Sequence, residues 1–161
     1  LETMSDPDMD LLLAVDLKGV LLCFREAIPA LRQRGGGTLV ATSSVQATHS
    51  LPGCVVYAAA KAGVIAAVRT LSLEVGKDNI RVVSVSPGTI DTPMLTRDLA
   101  DMNVDEADGF MQRVRDANAL GRVGTPAEIG DVIVWLAGPS ASYITGTDIV
   151  VDGGFTAVKR F

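Results

Sequence analysis

Three residues near the middle of the sequence have the types and spacing for proton chemistry at an alcohol or carbonyl carbon. Tyr57 and Lys61 stand four apart within YAAAK, a spacing that stacks them on one face of a helix. Ser44 lies thirteen residues before Tyr57, where the apolar run TLVAT gives out. A phenol alone is a poor base near neutrality. A cation held beside it favours the phenolate, and Lys61 can supply that cation. A seryl hydroxyl can donate to a carbonyl or alkoxide oxygen. Together they suit proton exchange with an alcohol while a hydride leaves its carbon. No side chain accepts a hydride, so a nicotinamide-type cofactor is implied. The bland alternative has Tyr57 opening an amphipathic helix with Lys61 in solvent.

The surrounding elements decide between these readings. GTLVATSS reads as a buried strand over residues 38–42, short, apolar and β-branched. A loop over 45–56 follows, with Pro52 and Gly53, and then a helix over about 56–76. Residues 80–85 read as a second strand that Pro87 and Gly88 end sharply. The carboxyl ends of parallel strands are where open α/β sheets bind ligands, and the trio falls there. Upstream, Ser5 or Asp6 can cap a helix with Pro7 in its first turn. That helix is expected over about 8–34, with Pro29 as a candidate kink and an apolar excess that predicts burial on more than one side. Downstream, Thr92-Pro93 has the form of an N-cap followed by a first-turn proline. Thr125-Pro126-Ala127-Glu128 is a capping box opening a helix to about 137. Residues 146–151 give a last short strand before the Gly153-Gly154 turn.

Composition narrows the class. The 161 residues are 48% hydrophobic and 20% charged, which suits one globular domain with a real core. A net charge of −5 and a pI near 4.8 argue against nucleic acid or an anionic membrane surface as the main partner. No apolar run is expected to approach the roughly 20 residues that cross a bilayer, and there is no signal-peptide pattern. Cys23 and Cys54 form no C-x-x-C, so a reduced, cytoplasmic setting is the simplest expectation. The only histidine, His49, has no clustered partners for a metal, and no metal site is expected.

Six pieces occur in order: VDLKGV at 15–20, the serine pair at 43–44, YAAAK at 57–61, SPGTIDTPM at 86–94, LGRVGTPAEIGDVIVWLAGPSASYITG at 120–146 and VDGG at 151–154. With them the chain resembles the carboxyl-terminal part of a short-chain dehydrogenase/reductase. The resemblance implies an α/β fold: a partial Rossmann-like, doubly wound parallel sheet forming a single domain over 1–161. It implies NAD or NADP as cofactor and an alcohol/ketone substrate. Tyr57 would be the general acid/base, Lys61 its electrostatic partner and a ribose ligand, and Ser44 the oxyanion donor. Pro87, Gly88, Ile90 and Thr92 would run along the nicotinamide side of the cofactor, with the Ile90 amide and the Thr92 hydroxyl suited to a carboxamide or phosphate. Residues 95–119 would be the variable substrate region, with short helices and a mobile character. Gln46, Leu51, Cys54 and Met94 are candidates for a mostly apolar substrate pocket, although Cys54 equally reads as a small apolar residue packed under its loop. The first long helix and the last strand would meet other subunits in a homodimer or homotetramer.

Three departures stand out. Asp16 occupies the place where the family usually has a catalytic Asn. A carboxylate accepts hydrogen bonds but donates none, and it could pair with Lys61 and weaken its effect on Tyr57. Asp16→Asn is therefore expected to raise turnover. Val83 replaces a common structural Asn. Nothing in the sequence resembles the glycine-rich strand-to-helix turn that cradles a pyrophosphate; Gly35, Gly36 and Gly37 precede a strand and cannot serve. By resemblance, roughly 80–100 further residues would precede Leu1, and the strand at 38–42 would have a bare edge. The alternative reading is an inactive fragment or assembly module that binds no dinucleotide by itself.

Overall fold

The structure, a computed structural model, describes residues 1–157. Three parallel strands form one sheet in the order β1-β2-β3. They are β1 (Gly37–Thr42), β2 (Ile80–Pro87) and β3 (Thr147–Val151). Gly37 pairs with Ile80 and Thr42 with Val85; Val83 pairs with Thr147 and Pro87 with Val151. All three strands therefore end on one side, and β1 has one edge without a strand among the described residues.

Helices cover both faces. On one lie α2 (Gly19–Arg34) and α3 (Val55–Val75), packed over Leu39, Ala41, Ile80 and Val82 through Phe24, Val64, Val68 and Val75. On the other lies α6 (Pro126–Ala137), whose Ile129 and Leu136 bury Val83 and Val85. The two clusters alternate along β2, as successive strand residues point to opposite faces. Val83 is fully buried against α6, so this position serves packing. The arrangement is the partial, doubly wound α/β sheet expected from the sequence.

The first helix differs from expectation. It opens at α1 (Asp6–Leu13), where Ser5 accepts from the Asp8 amide. It then passes through a π-helical turn, Ala14–Lys18, before α2. The irregularity sits there, while Pro29 lies inside a helix that runs unbroken to Arg34. A π turn widens the helix by one residue and is common at functional positions.

Two further expectations are corrected. Residues 93–117 form two helices, α4 (Pro93–Ala100) and α5 (Val104–Ala117). The second is 14 residues long, with Asn103 and Glu106 in a capping box, so it is not the short helix foreseen. The stretch Val55–Asp78 is also long and apolar enough to cross a membrane by length and composition, with a mean hydropathy of 1.4 over its most apolar window. Its apolar character has a structural use: Val64 and Val68 are fully buried against the sheet.

Candidate active site

The site begins where β1 ends. The Ser43 amide continues the ladder to the Val85 carbonyl at 2.7 Å, and its hydroxyl donates to the Lys61 carbonyl at 3.0 Å. This bond ties the strand end to α3 one turn beyond Tyr57. Ser44 is extended, with its hydroxyl oxygen accepting from the Gln46 amide at 3.1 Å to cap a short 3-10 turn, Val45–Ala47. The Ser44 hydroxyl proton has no acceptor among the described residues, so it is free for a substrate oxygen.

Tyr57 and Lys61 share one face of α3. The Lys61 ammonium stands 5.5 Å from the centroid of the Tyr57 ring. It donates to the Thr42 carbonyl at 3.4 Å and pairs with Asp16 Oδ1 at 2.9 Å. The Lys61 and Asp16 side chains are 11% and 26% exposed, so water screens this pair poorly. The π turn brings Asp16 there. Its neighbour Leu17 packs on Gly63, where an added Cβ would stand 3.0 Å from Leu17 Cδ1. A Cβ at 63 would require the Leu17 side chain to give way by a few tenths of an ångström.

The segment after β2 lies at the same end. The Gly88 amide donates to the Val151 carbonyl at 3.0 Å. A Cβ on Gly88 would meet Asp152 Cα at 2.8 Å, so only glycine allows this approach. Burial pushes the Asp152 carboxyl up, but donors from Thr156 and Gly154 outweigh it and hold the group below its usual range. Ile90 bridges Gly124 in parallel register. The bonds on that side belong to the Thr89 carbonyl and the Asp91 amide. The Ile90 amide therefore points the other way, and it donates to no carbonyl among the described residues. Thr92 caps α4 by accepting from the Leu95 amide at 3.5 Å, which leaves its hydroxyl proton available. A free backbone amide and a free hydroxyl on one open segment fit the amide and phosphate groups of a nicotinamide dinucleotide.

Three of the four pocket candidates, Gln46, Leu51 and Cys54, share the loop before α3, where the Cys54 amide donates to the Leu51 carbonyl at 3.3 Å, and Met94 lies on α4. Gln46 uses its side-chain oxygen to accept from the Leu51 amide at 2.8 Å, so it shapes the loop before α3. Leu51 and Met94 are exposed. Cys54 is half-buried at the start of α3. His49 is exposed and shares a hydrogen bond with Thr48 Oγ1 at 3.0 Å. Sequence reasoning missed Ser43, the Thr42 carbonyl and Gly63. The first could have been flagged as the twin of Ser44; the other two act only through contacts made by folding. Gly35 ends α2 in the left-handed region at φ 87° and Gly37 opens β1, so this glycine run is a turn between helix and strand.

A hydroxyl, a phenol with its cation, and free donors now stand at the open end of parallel strands. That combination defines an α/β protein built for a ligand at the rim of its sheet. The family model described as Enoyl-(Acyl carrier protein) reductase matches residues 1–156, and the chain belongs to the short-chain dehydrogenase/reductase family. It is similar to a 3-oxoacyl-[acyl-carrier-protein] reductase from Thermotoga maritima, 39% identical over 94% of this chain and 58% of that protein. Among solved structures it resembles an acetoin dehydrogenase from Enterobacter cloacae, with a TM-score of 0.82 at 33% identity over 99% of this chain and 59% of the other. A structure described as ribose-5-phosphate isomerase from Brucella melitensis is also similar, with a TM-score of 0.86 at 35% identity over 95% and 56%. Its described activity differs from the other two, and a shared fold does not carry an activity by itself. The chain spans less than two thirds of the length of each of these relatives.

Proposed function

We propose that this chain carries the proton-transfer machinery of an NAD(P)-dependent oxidoreductase that interconverts an alcohol and a ketone. The observation that carries this reading is the Lys61 ammonium held over the Tyr57 ring, with Ser44 capping the turn at the end of the neighbouring strand. The names of two relatives agree with it, one speaking of a 3-oxoacyl compound and one of acetoin.

When bound, a dihydronicotinamide cofactor would supply the hydride, with its electron pair, that the carbonyl carbon takes up, and would itself be oxidised. Ser44 donates a hydrogen bond to the substrate oxygen, stabilising charge as the carbonyl gains alkoxide character. Tyr57 gives its phenolic proton to that oxygen, leaving the alcohol, and regains a proton from solvent. Oxidation runs the same steps backward, with Tyr57 as the base. Lys61 keeps an ammonium beside the phenol and has a donor left for a ribose hydroxyl. The Ile90 amide and the Thr92 hydroxyl would hold the carboxamide or phosphate end. Gln46 shapes the substrate side of the loop, with Leu51, Cys54 and Met94 as its apolar wall. In the intact protein, Tyr57→Phe lowers turnover by about 10²- to 10⁴-fold while the melting temperature holds. A variant that keeps its full rate would remove the acid/base role.

We also propose a homodimer or homotetramer. Only 33% of the most apolar window of α3 is buried within the chain, and a helix apolar on most sides is ordinarily covered. Sedimentation of the intact protein should give a mass at least twice that of one chain; a monomer at micromolar concentration would sink this proposal.

A further inference from the structure

Ser43 is buried just past the end of β1, with 3% of its surface exposed, and the acid/base steps above leave its hydroxyl unused. The residues of β1 that face α2 and α3 are Leu39 and Ala41, and Ser43 continues that row, since alternate strand residues share a face. Packing alone would ask for another apolar side chain there. The serine hydroxyl instead donates to the Lys61 carbonyl at 3.0 Å, across 18 residues of sequence. That carbonyl lies inside α3, where a helix already supplies it with the amide four residues on, that of Ile65. The Ser43 bond is thus an addition to a satisfied group. Apolar contact has no preferred direction, whereas a hydrogen bond holds both a distance and an angle.

The bond joins the two carriers of the candidate machinery. On the strand side, the Ser43 amide is held by the Val85 carbonyl at 2.7 Å, and the next residue is Ser44, whose hydroxyl oxygen caps the 3-10 turn. On the helix side, Lys61 stands one turn beyond Tyr57, a rise of about 6 Å. The far end of Lys61 returns to the same place, with its ammonium donating to the Thr42 carbonyl at 3.4 Å. Neighbouring residues 42 and 43 therefore hold Lys61 at its tip and at its main chain. A slide or turn of α3 against β1 would stretch one of these two bonds. The covalent route from Ser44 to Tyr57 offers no such control, because it passes through residues 48–53, all of them exposed.

We propose that Ser43 is a positioning residue: its bond to the Lys61 carbonyl sets the separation between the Ser44 hydroxyl and the Tyr57 phenol. The proposal rests on the acid/base reading above, in which both groups must reach one substrate oxygen. A misplacement of about 1 Å in such an arrangement can cost on the order of 10²-fold in rate. The loss falls on the chemical step, where both bonds to that oxygen tighten, and spares the initial hold on the substrate.

The test uses the intact protein with Ser43→Ala, which removes the hydroxyl, and Ser43→Thr, which keeps one. In Ser43→Ala, kcat should fall about tenfold while the substrate KM stays within about twofold, and Ser43→Thr should recover most of the rate. Amide hydrogen exchange over residues 57–61, read without cofactor or substrate, should quicken about tenfold in Ser43→Ala, the factor that one ordinary hydrogen bond represents. A double-mutant cycle separates placement from general weakening. Added to Tyr57→Phe, Ser43→Ala should cost less than about twofold, because the group being placed has lost its proton. A full rate in Ser43→Ala, unchanged exchange, or an equal tenfold loss with and without the Tyr57 hydroxyl overturns the proposal. So does a rate loss that only follows a loss of folded protein, read from the melting temperature. Full turnover in Tyr57→Phe alone overturns the acid/base reading, whatever Ser43→Ala does.

Discussion

Two of the ion pairs among the described residues are similar in length and lie in unlike surroundings. Lys61 and Asp16 meet at 2.9 Å across 45 residues of sequence, with both side chains mostly covered. Arg122 and Glu128 meet at 2.6 Å, six residues apart, with 52% and 41% of their side chains exposed. The second pair is a local clamp. Glu128 accepts from Arg122 through both oxygens and from the Thr125 amide and hydroxyl, so it locks the entry of α6. Arg122 donors and then the Thr125 bonds hold its carboxyl down at about 2. The first pair sits at the rim of the sheet beside a phenol, where its charge balance bears on a neighbour. The lesson is that an ion pair's length says little about its task; depth and neighbours decide it.

Breaking each pair should separate the two tasks. The largest effect is expected from Lys61→Met in the intact protein. Turnover should fall about 10²- to 10³-fold, as when one stabilising donor is lost. Stability should fall as well, by about 1–3 kcal/mol, because Asp16 is left half-buried without its partner. Denaturant unfolding alongside steady-state rates reads both, and a variant that keeps its rate would demote the pair to a clamp like the other. Asp16→Asn comes next: it removes the charge paired with Lys61 and should raise turnover in the intact protein, and unchanged steady-state rates would count against the role given to this pair. Glu128→Gln should have the smallest effect, leaving the rate unchanged and lowering the melting temperature modestly. Its sign with pH is fixed. The folded carboxyl lies below the ordinary 4.5, so its contribution is complete above that value and is lost as pH falls toward about 2. The gap in melting temperature between wild type and variant should therefore close on acidification through that window, and shrink with added salt because the pair is exposed. A gap that widens on acidification would contradict this.

The local pair was readable before folding and the distant one only in part. Thr125 and Glu128 form a capping box that the spacing alone announces. Asn103 and Glu106 obey the same rule. They were overlooked because the surrounding stretch is acidic and weakly periodic, which hid a 14-residue helix. Tyr57 and Lys61 were legible because four residues on a helix fix a shared face. The strand at 37–42 was legible from its β-branched run. The π turn was not, since nothing in AVDLK marks a widened turn; it accompanies the seating of Leu17 on Gly63. The resemblance named Ser44 as the donor, but nothing in the sequence said that Ser43 would anchor α3. Strand alternation sets that once β1 has its register. The apolar length of Val55–Asp78 was underestimated from the sequence; burial on a sheet and burial in a bilayer ask for the same residues.

By itself, then, the sequence determined the residue types, the turn-by-turn spacing of Tyr57 and Lys61, the helix caps and the alternation of the strands. These follow from forces between neighbours a few residues apart, which act in any chain carrying the same local text. Only the tertiary structure decided that Asp16 would take the Lys61 ammonium, that Ser43 would hold the Lys61 carbonyl, and that the Ile90 amide would be left free. Such contacts join segments far apart in the chain, and they form only when the apolar faces of helix and sheet close on one another and bring those segments together.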